Sequence, residues 1–256
     1  MTMAQASRYH QDKLNVNLDD LANRSINPTR RSVTYLHDSW RAKYHGSVGG
    51  ESMLSSIKRY AEANTSSKIG IGMHGDHFVV VLVTEFMLRV HEQLREASEV
   101  VLVDTTSRVD QSSTAVMPLL CAGPAGALPL GVMFASSQDE KSYATGFNLL
   151  MNMVGQRAFF GQGHPSCFIT DDSEAQRNAI KTVWPRSERF LSVFHVLRQT
   201  WRWLCDGAHG VKKEHRPTLM TAAKQMVCAE SEANFQESWN AFSQSPEAQH
   251  YDQYTR

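Results

Sequence analysis

The sequence predicts an α/β fold, a mixed sheet of five strands with flanking helices. Three observations between residues 100 and 204 support this prediction. Short apolar runs of strand length alternate with segments in which apolar residues recur at helical spacing. Glycine and proline separate these runs, and acidic residues stand at the ends of two of them. The chain then divides into a helical or linker region over residues 1–67, an α/β core over 68–204, and a helical region with a polar, frayed tail over 205–256.

The first three strands of the core are predicted to form an antiparallel meander. Residues 100–106 are a run of β-branched and aliphatic residues typical of a buried strand, with Asp104 inside it. Two further apolar runs, 114–120 and 128–136, are separated by Cys-Ala-Gly-Pro-Ala-Gly-Ala, in which proline and glycine favour a turn. An aspartate is costly to bury unpaired, so Asp104 is either hydrogen-bonded to the threonines that follow it or bound to a metal.

The rest of the core is predicted to alternate helices with strands. Ser137 is a candidate cap for a helix over 139–160, with a glutamate three residues further on. Ser166–Thr170 is predicted as the fourth strand, and it ends in Asp171 and Asp172. Three elements complete the order: a helix over 174–184 that ends before a proline, a strand over 190–195 and a helix over 196–204.

Two aspartates are candidate site residues because of where they stand in this order. If the fourth strand pairs parallel with the first, Asp104 and Asp171 lie side by side at one edge of the sheet. Ligands of open α/β sheets bind outside the carboxyl ends of the strands. Asp171 also suits the N-cap of the following helix, and both roles are compatible, whereas Asp172 suits the cap better than a ligand position. His195 ends the fifth predicted strand near the same edge.

Composition and charge set limits on the partner and the compartment. Lysine plus arginine equal aspartate plus glutamate at 26 each, so no global basic field indicates a nucleic-acid partner. The four cysteines form no Cys-x-x-Cys pair, which predicts free thiols in a reducing compartment, nuclear or cytoplasmic, and no zinc finger. The N-terminus lacks a secretory signal and the apolar run 78–88 is too short to span a bilayer, so we expect no membrane partner.

A set of ordered motifs in the core resembles the transposase domain of Mutator-like elements, including relatives that carry SWIM-type zinc fingers. The motifs are Val-Asp-Thr-Thr at 103–106, Gly-Ala-Leu-Pro-Leu-Gly-Val at 126–132, Thr-Asp-Asp-Ser at 170–173, Trp-Pro at 184–185, Phe-His-Val-Leu at 194–197 and Trp-Arg-Trp-Leu at 201–204. They match as a set in order and spacing, and the resemblance covers about residues 55–240.

This resemblance implies a ribonuclease-H-like fold with an Asp-Asp-Glu triad that cleaves DNA and transfers its strands. It also implies a two-metal site for Mg²⁺ or Mn²⁺, with transposon ends and target DNA as partners, and homo-oligomerisation. Asp104 matches the first family carboxylate and Asp171 the second. The family usually has Asp-Gly where this chain has two aspartates, so the second position stays open to Asp172. His195 then contacts a phosphate or a metal-bound water, or is a partly buried histidine.

Two departures from the family pattern bear on activity. Ser192 stands where the family often has a cysteine, which weakens a Cys/His role for His195. The family's third acid follows a helical insertion, whose start residues 205–256 resemble, and the chain is expected to end before that acid. We therefore expect a weak or inactive site, and the alternative is a domesticated or degraded module that binds DNA or protein without catalysis. Four glutamates lie in the right direction but suit a solvated helix face better: Glu230, Glu232, Glu237 and Glu247.

Two further regions are candidates for DNA contact. Residues 1–67 carry nine basic against six acidic residues, with Arg30 and Arg31 close to aromatic residues. This region is either a remnant of the family's DNA-recognition region or a solvated helical linker. Trp201 is a candidate for stacking on an unpaired base, and the alternative for Trp201 and Trp203 is anchoring in the core.

Overall fold

The computed structural model describes residues 24–45, 53–106 and 114–251, and the chain divides into two compact units, 1–65 and 66–256. In the N-terminal unit, helix α1 spans Arg30–His45 and helix α2 spans Met53–Ala63. The Thr29 hydroxyl accepts the Ser32 N–H at 3.2 Å, which satisfies one backbone donor in the first turn of α1. Of the charged residues over 1–67, seven basic and two acidic residues lie within the described ranges, so the predicted basic excess falls on them.

A seven-stranded mixed sheet forms the centre of the C-terminal unit. The prediction of five strands is wrong in number, because residues 67–84 form an antiparallel hairpin that joins the sheet. The second strand of this hairpin buries Val79, Val81 and Val83, so its apolar face holds the hairpin on the core. The strands are β1 Ser67–His74, β2 His77–Thr84, β3 Val100–Val103, β4 Ala115–Gly123, β5 Gly126–Ala135, β6 Cys167–Thr170 and β7 Glu188–Leu191, in the spatial order β1-β2-β5-β4-β3-β6-β7.

Strands β3, β4 and β5 form the predicted antiparallel meander, and β6 and β7 add in parallel beyond β3. The turn of the meander is tighter than predicted, since β4 and β5 pair as far as Gly123 and Gly126. Gly126 has a φ of +124°, which residues with a side chain rarely adopt, so this turn requires glycine. The predicted order of strands and helices between residues 100 and 204 is confirmed.

Helices pack against this sheet and extend beyond it. They are α3 Glu85–Gln93, α4 Glu140–Val154, α5 Glu174–Val183, α6 Val193–Cys205, α7 Arg216–Val227, α8 Glu232–Ser243 and α9 Pro246–His250. Asp139 rather than Ser137 caps α4, because its Oδ1 accepts the Ser142 N–H at 2.8 Å. Helix α4 ends before the predicted residue 160, since Gly155 takes a φ of +64° and begins a 3₁₀ turn.

Two hydrophobic cores lie in the C-terminal unit. The larger core lies between the sheet and helices α3, α4 and α5. In it, the ring centroid of Trp184 lies 5.1 Å from that of Phe147 and 4.9 Å from that of Phe168. The smaller core joins the end of α6 to the three helices that follow: it contains Leu204, Val211, Leu219, Phe242, Ala248 and Tyr251. Helix α6 therefore connects the sheet to a separate helical region.

The C-terminal segment is structured further than the sequence predicts. A frayed tail is expected from residue 243, but α9 forms and Tyr251 is only 8% exposed. The Tyr251 hydroxyl accepts the Lys212 N–H at 3.1 Å and lies 3.0 Å from His215 Nδ1. These bonds attach the segment to the smaller core. Among the described residues, no helix is both long and apolar enough to cross a membrane.

Candidate functional site

The ends of β3 and β6 bring Asp104 and Asp171 to the same edge of the sheet. The two strands are parallel neighbours, with Leu102 opposite Ile169. Asp104 follows the last residue of β3 and Asp171 follows the last residue of β6, so continuing this register sets them opposite each other. Neighbouring strands lie about 4.8 Å apart. The pairing on which the prediction of a shared site depends is therefore present.

Alternation along the two strands decides the face on which the aspartates lie. In β3, Val101 and Val103 are buried, whereas Leu102 is 39% exposed. In β6, Phe168 is buried against the Trp184 ring, on the side that α4 and α5 cover. Asp104 is two residues after Leu102, so strand alternation places it on the same exposed face, and its side chain is 58% exposed. A carboxylate in this place is accessible to a ligand at no cost of burial.

The local contacts of Asp171 leave it distinct from the cap of the helix that follows. Its Oδ1 accepts the Ser173 N–H at 3.2 Å. The N-cap of α5 is Ser173, whose hydroxyl accepts the Gln176 N–H at 3.3 Å. The alternative that Asp171 or Asp172 caps this helix is therefore wrong. Asp172 instead pairs on the surface with Arg177 Nη1 at 2.6 Å, and the Asp172 side chain is 55% exposed.

His195 lies in the first turn of α6 and not at the end of a strand. The strand prediction fails because β7 pairs with a β6 of only four residues, and the ladder ends where Thr170 meets Leu191. The His195 Nε2 lies 3.5 Å from Asp104 Oδ1, and the side chain is 20% exposed. Its Nδ1 is buried and has no hydrogen-bond partner within the described part of the chain. The imidazole thus lies beside the first candidate carboxylate.

A buried polar group behind the strand ends is absent from the sequence prediction. Gln176, fully buried on α5, donates from Nε2 to the Thr105 hydroxyl at 3.1 Å. Burial raises the pKa of Tyr143; a hydrogen bond with Thr105 opposes this rise, and the charges of Asp171 and Asp139 add to it. Thr105, which follows Asp104, and Asp171 therefore both act on the Tyr143 hydroxyl.

A sequence signal for this group exists in helix α5. Gln176 stands three and four residues before Ala179 and Ile180, both fully buried, so helical spacing places it on the buried face. A polar residue at such a position needs hydrogen-bond partners and marks an ordered polar group. Its Oε1 is buried without a hydrogen-bond partner among the described residues. Tyr143 gives no comparable signal, because its spacing fits the apolar face of α4.

The other predicted contact residues lie on elements other than β3 and β6. Trp201 is 44% exposed on α6, whereas Trp203 packs against the smaller core with its ring 4.0 Å from that of His209. Core anchoring thus applies to Trp203 and not to Trp201. Arg30 and Arg31 are exposed on α1 in the N-terminal unit. The four candidate glutamates lie on or beside helices of the smaller core: Glu230, Glu232, Glu237 and Glu247.

The donor atoms at this edge suit a hard divalent cation in part. The described residues contain no group of three or more His, Cys, Asp or Glu arranged to hold a metal ion. Mg²⁺ commonly takes one or two protein carboxylates and completes its shell with water and substrate phosphate oxygens. Asp104 and Asp171 supply oxygen donors of this type, and the solvent exposure of Asp104 allows phosphate to approach. In donor chemistry, the two carboxylates therefore fit a hard divalent cation.

This fold is an α/β domain with paired carboxylates at the ends of neighbouring parallel strands. The family model described as the MULE transposase domain matches residues 100–199. The resemblance to Mutator-like transposases is thereby confirmed, over a shorter range than 55–240. No curated protein matches the chain. The match indicates a transposase-type function, with DNA as the partner and the metal-dependent nuclease chemistry that the family implies.

Proposed function

We propose that residues 100–199 are the catalytic core of a Mutator-like DNA transposase with a ribonuclease-H-like fold, which cleaves DNA and transfers its strands. The observation that supports this proposal is the parallel register of β3 and β6, whose continuation beyond Leu102 and Ile169 would set Asp104 opposite Asp171. Asp104 and Asp171 are 67 residues apart in sequence, as are the paired residues Val100 and Cys167. The same parallel pairing therefore supports a position side by side for the two aspartates. The MULE match over the same residues supports the reaction class.

Asp104 and Asp171 would hold Mg²⁺ or Mn²⁺. Such ions activate the attacking oxygen and stabilise the leaving oxygen of a phosphodiester. The chain's own residues would do the rest. His195 approaches the Asp104 carboxylate with Nε2, at a place where it would donate to a phosphate oxygen. The bond from Gln176 to Thr105 would hold the residue beside Asp104 in position.

A nicking assay tests this function. The whole chain is incubated with supercoiled plasmid and either Mg²⁺ or Mn²⁺, and the same assay is run on Asp104→Asn and Asp171→Asn, which keep the side-chain shape and remove the charge. We expect weak nicking by the wild type and a further loss of about a hundredfold or more in each variant, since metal-based stabilisation amounts to several kcal/mol.

The matched control is Asp172→Asn, which removes a neighbouring charge that pairs on the surface with Arg177. It should nick DNA at the wild-type rate. Nicking that persists in Asp104→Asn or Asp171→Asn would contradict the proposal. A wild type that binds DNA without nicking it would favour the alternative of a module that acts by binding alone.

A further inference from the structure

Helix α6 carries an exposed stripe of aromatic and basic side chains. Phe194 is 67% exposed and Trp201 is 44% exposed, and Arg198 and Arg202 are exposed beside them. At about 100° per residue, these four side chains fall within an arc of roughly 100° on the helix surface. The opposite side of the helix carries Trp203, which is half-buried against the smaller core, and Leu204, on the flank between Trp203 and the stripe, is fully buried in that core. The stripe is therefore the solvent side of a helix whose other side is anchored.

Exposed aromatic rings on a water-facing helix are unusual where burial is available. The same helix buries Leu204 and half-buries Trp203, so the helix has an apolar face that Phe194 and Trp201 do not join. Large exposed apolar surface commonly marks a binding site. Phe194 and Trp201 are seven residues, about two helical turns, apart on one side. Two rings at this spacing, about 10 Å along the axis, form a platform on which two separate planar groups can stack.

The charged residues of α6 itself have one sign. Residues 189–205 contain three arginines, Arg189, Arg198 and Arg202, and no aspartate or glutamate. The whole chain has a formal net charge of +0, so the excess is a local property of this segment. A surface that combines arginine with stacked aromatic rings fits a nucleic-acid strand with unpaired bases, because the guanidinium groups meet phosphates and the rings meet base faces. A purely apolar partner would leave these arginines without counter-charges.

The stripe begins beside the candidate carboxylates. His195, next to Phe194 in the first turn of α6, lies 3.5 Å from Asp104 through its Nε2, and its ring contacts the Phe194 ring edge to face at 5.4 Å. From residue 194 to residue 202 the helix rises about 12 Å. Stacked DNA rises about 3.4 Å per nucleotide along each strand, so several nucleotides fit along the stripe. A strand lying there would reach the edge where Asp104 stands.

We propose that Phe194, Arg198, Trp201 and Arg202 on α6 form a track for a DNA strand with unpaired bases and lead that strand to the candidate carboxylates. This inference rests on the proposed function and specifies the form of the DNA that the site takes. Paired bases in a duplex offer their faces to one another, so the two rings would engage only unpaired nucleotides. The track thus distinguishes frayed or single-stranded ends from intact duplex.

Binding measured without metal tests the track independently of cleavage. Fluorescence anisotropy in EDTA compares three probes: a single-stranded oligonucleotide, its blunt duplex, and the duplex with a single-stranded overhang. We expect the overhang and single-stranded probes to bind more tightly than the blunt duplex. Trp201→Ala and Phe194→Ala should each weaken single-strand binding at least about fivefold, the loss expected for one stacked base. Arg198→Ala should lower the slope of log affinity against log salt by about 0.7.

Helix α3 offers matched controls on another part of the sheet. Phe86 is 45% exposed, and Arg89 lies over its ring with the guanidinium carbon 5.9 Å from the centroid. Phe86→Ala and Arg89→Ala remove the same kinds of side chain from α3 and should change neither the affinity nor the salt slope. Circular dichroism confirms that each variant is folded.

Three results would overturn the track. One is a wild-type protein that binds none of the probes, and another is single-strand affinity that stays unchanged in both Trp201→Ala and Phe194→Ala. The third is a loss of self-association in these variants with DNA affinity intact, which would assign the stripe to a second copy of the chain. Since EDTA removes catalysis from the assay, a negative result here leaves the nicking result, and with it the proposed function, to stand on its own.

Discussion

The two halves of the sheet differ in strand length and direction. In the antiparallel half, β1, β2, β4 and β5 have between 8 and 10 residues each, and hairpins join them. In the half that contains the parallel pairs, β3, β6 and β7 have 4 residues each. Short parallel strands end early and at one edge, so the residues that follow them gather there. The long antiparallel strands contribute much of the larger core, and the short strands end at the candidate site.

Two histidines illustrate the same difference. His91 is fully buried in the antiparallel half, where its Nε2 donates to the Leu130 carbonyl at 3.1 Å and its Nδ1 accepts the Phe159 N–H at 3.1 Å. Both nitrogens are satisfied, so this residue is structural. His195 in the other half reaches a solvent-exposed carboxylate and keeps a buried Nδ1 without a partner among the described residues. The ring nitrogens of His91 are thus both satisfied, whereas one ring nitrogen of His195 is not satisfied by any described residue.

The largest expected effect separates a buried phenylalanine from an exposed one. Phe147→Ala removes a fully buried ring from the larger core and should lower the free energy of unfolding by about 3–5 kcal/mol. Phe194→Ala removes a ring that is 67% exposed and should change that free energy by less than about 0.5 kcal/mol. Urea denaturation followed by circular dichroism measures both. Similar losses in the two variants would show that α6 is part of the core.

The next effect concerns His91 and pH. Burial lowers the pKa of His91 from 6.5 to about 4, so the folded state favours the neutral ring. The stability that this shift contributes is complete above pH 6.5 and falls as the pH drops towards 4, where the unfolded chain takes up the proton first. We expect the protein to lose about 2 kcal/mol between pH 8 and pH 5 from this group.

Denaturation at the two pH values, repeated on His91→Gln, measures this contribution. The variant should lose less stability on acidification than the wild type by about the same amount. His250→Gln, which changes an exposed histidine, serves as the control and should keep the wild-type dependence. An equal loss in His91→Gln and the wild type would remove His91 as the cause.

A smaller effect should distinguish positioning from stability in the parallel half. Gln176→Leu removes the hydrogen bond to Thr105 but also removes the buried Oε1, so the free energy of unfolding should change by no more than about 1 kcal/mol. Because Thr105 follows Asp104, we expect Mn²⁺ affinity and nicking to fall about tenfold or more. Gln176→Glu places a charge in the same volume and should fold less well. Unchanged metal affinity in a folded Gln176→Leu protein would show that this group has no part in the site.

The smallest effect is expected on the surface next to the site. Arg177→Ala breaks the ion pair with Asp172. In this pair the Arg177 side chain is 30% exposed and the Asp172 side chain is 55% exposed. Exposed pairs contribute about 0.2–1 kcal/mol, so the midpoint of thermal unfolding should move only slightly and nicking should stay at the wild-type rate. A large loss of nicking in this variant would assign the second candidate carboxylate to Asp172 instead of Asp171.

Local patterns predicted the order of elements but not the edges of the sheet. The apolar run at 100–103 and the turn before Gly126 were strong signals, and the meander and the parallel fourth strand follow from them. The hairpin at 67–84 cannot be predicted as part of the sheet, because β1 alternates weakly and contains two glycines. Its place in the sheet depends on pairing with β5, a contact far away in sequence.

The site shows the same limit. The register of Asp104 and Asp171 could be predicted, since it needs only two strands and their direction. The position of His195 could not, because the residues Val193–Leu197 suit a strand or a helix, and the length of the distant β6 decides between them. Helical spacing indicates that Gln176 is buried, but not what it contacts, because its hydrogen-bond partner Thr105 is 71 residues away. The roles of all these residues in catalysis stay predictions.

Metal binding in the absence of DNA tests the central claim most directly, because it isolates the pair of carboxylates from every other step. Electron paramagnetic resonance of free Mn²⁺, titrated with the wild type, Asp104→Asn, Asp171→Asn and the Asp172→Asn control, gives each affinity. The account predicts saturable binding by the wild type and the control, and at least about a tenfold weaker affinity in each of the other two variants. Mn²⁺ binding by Asp104→Asn or Asp171→Asn that equals the wild type would contradict it.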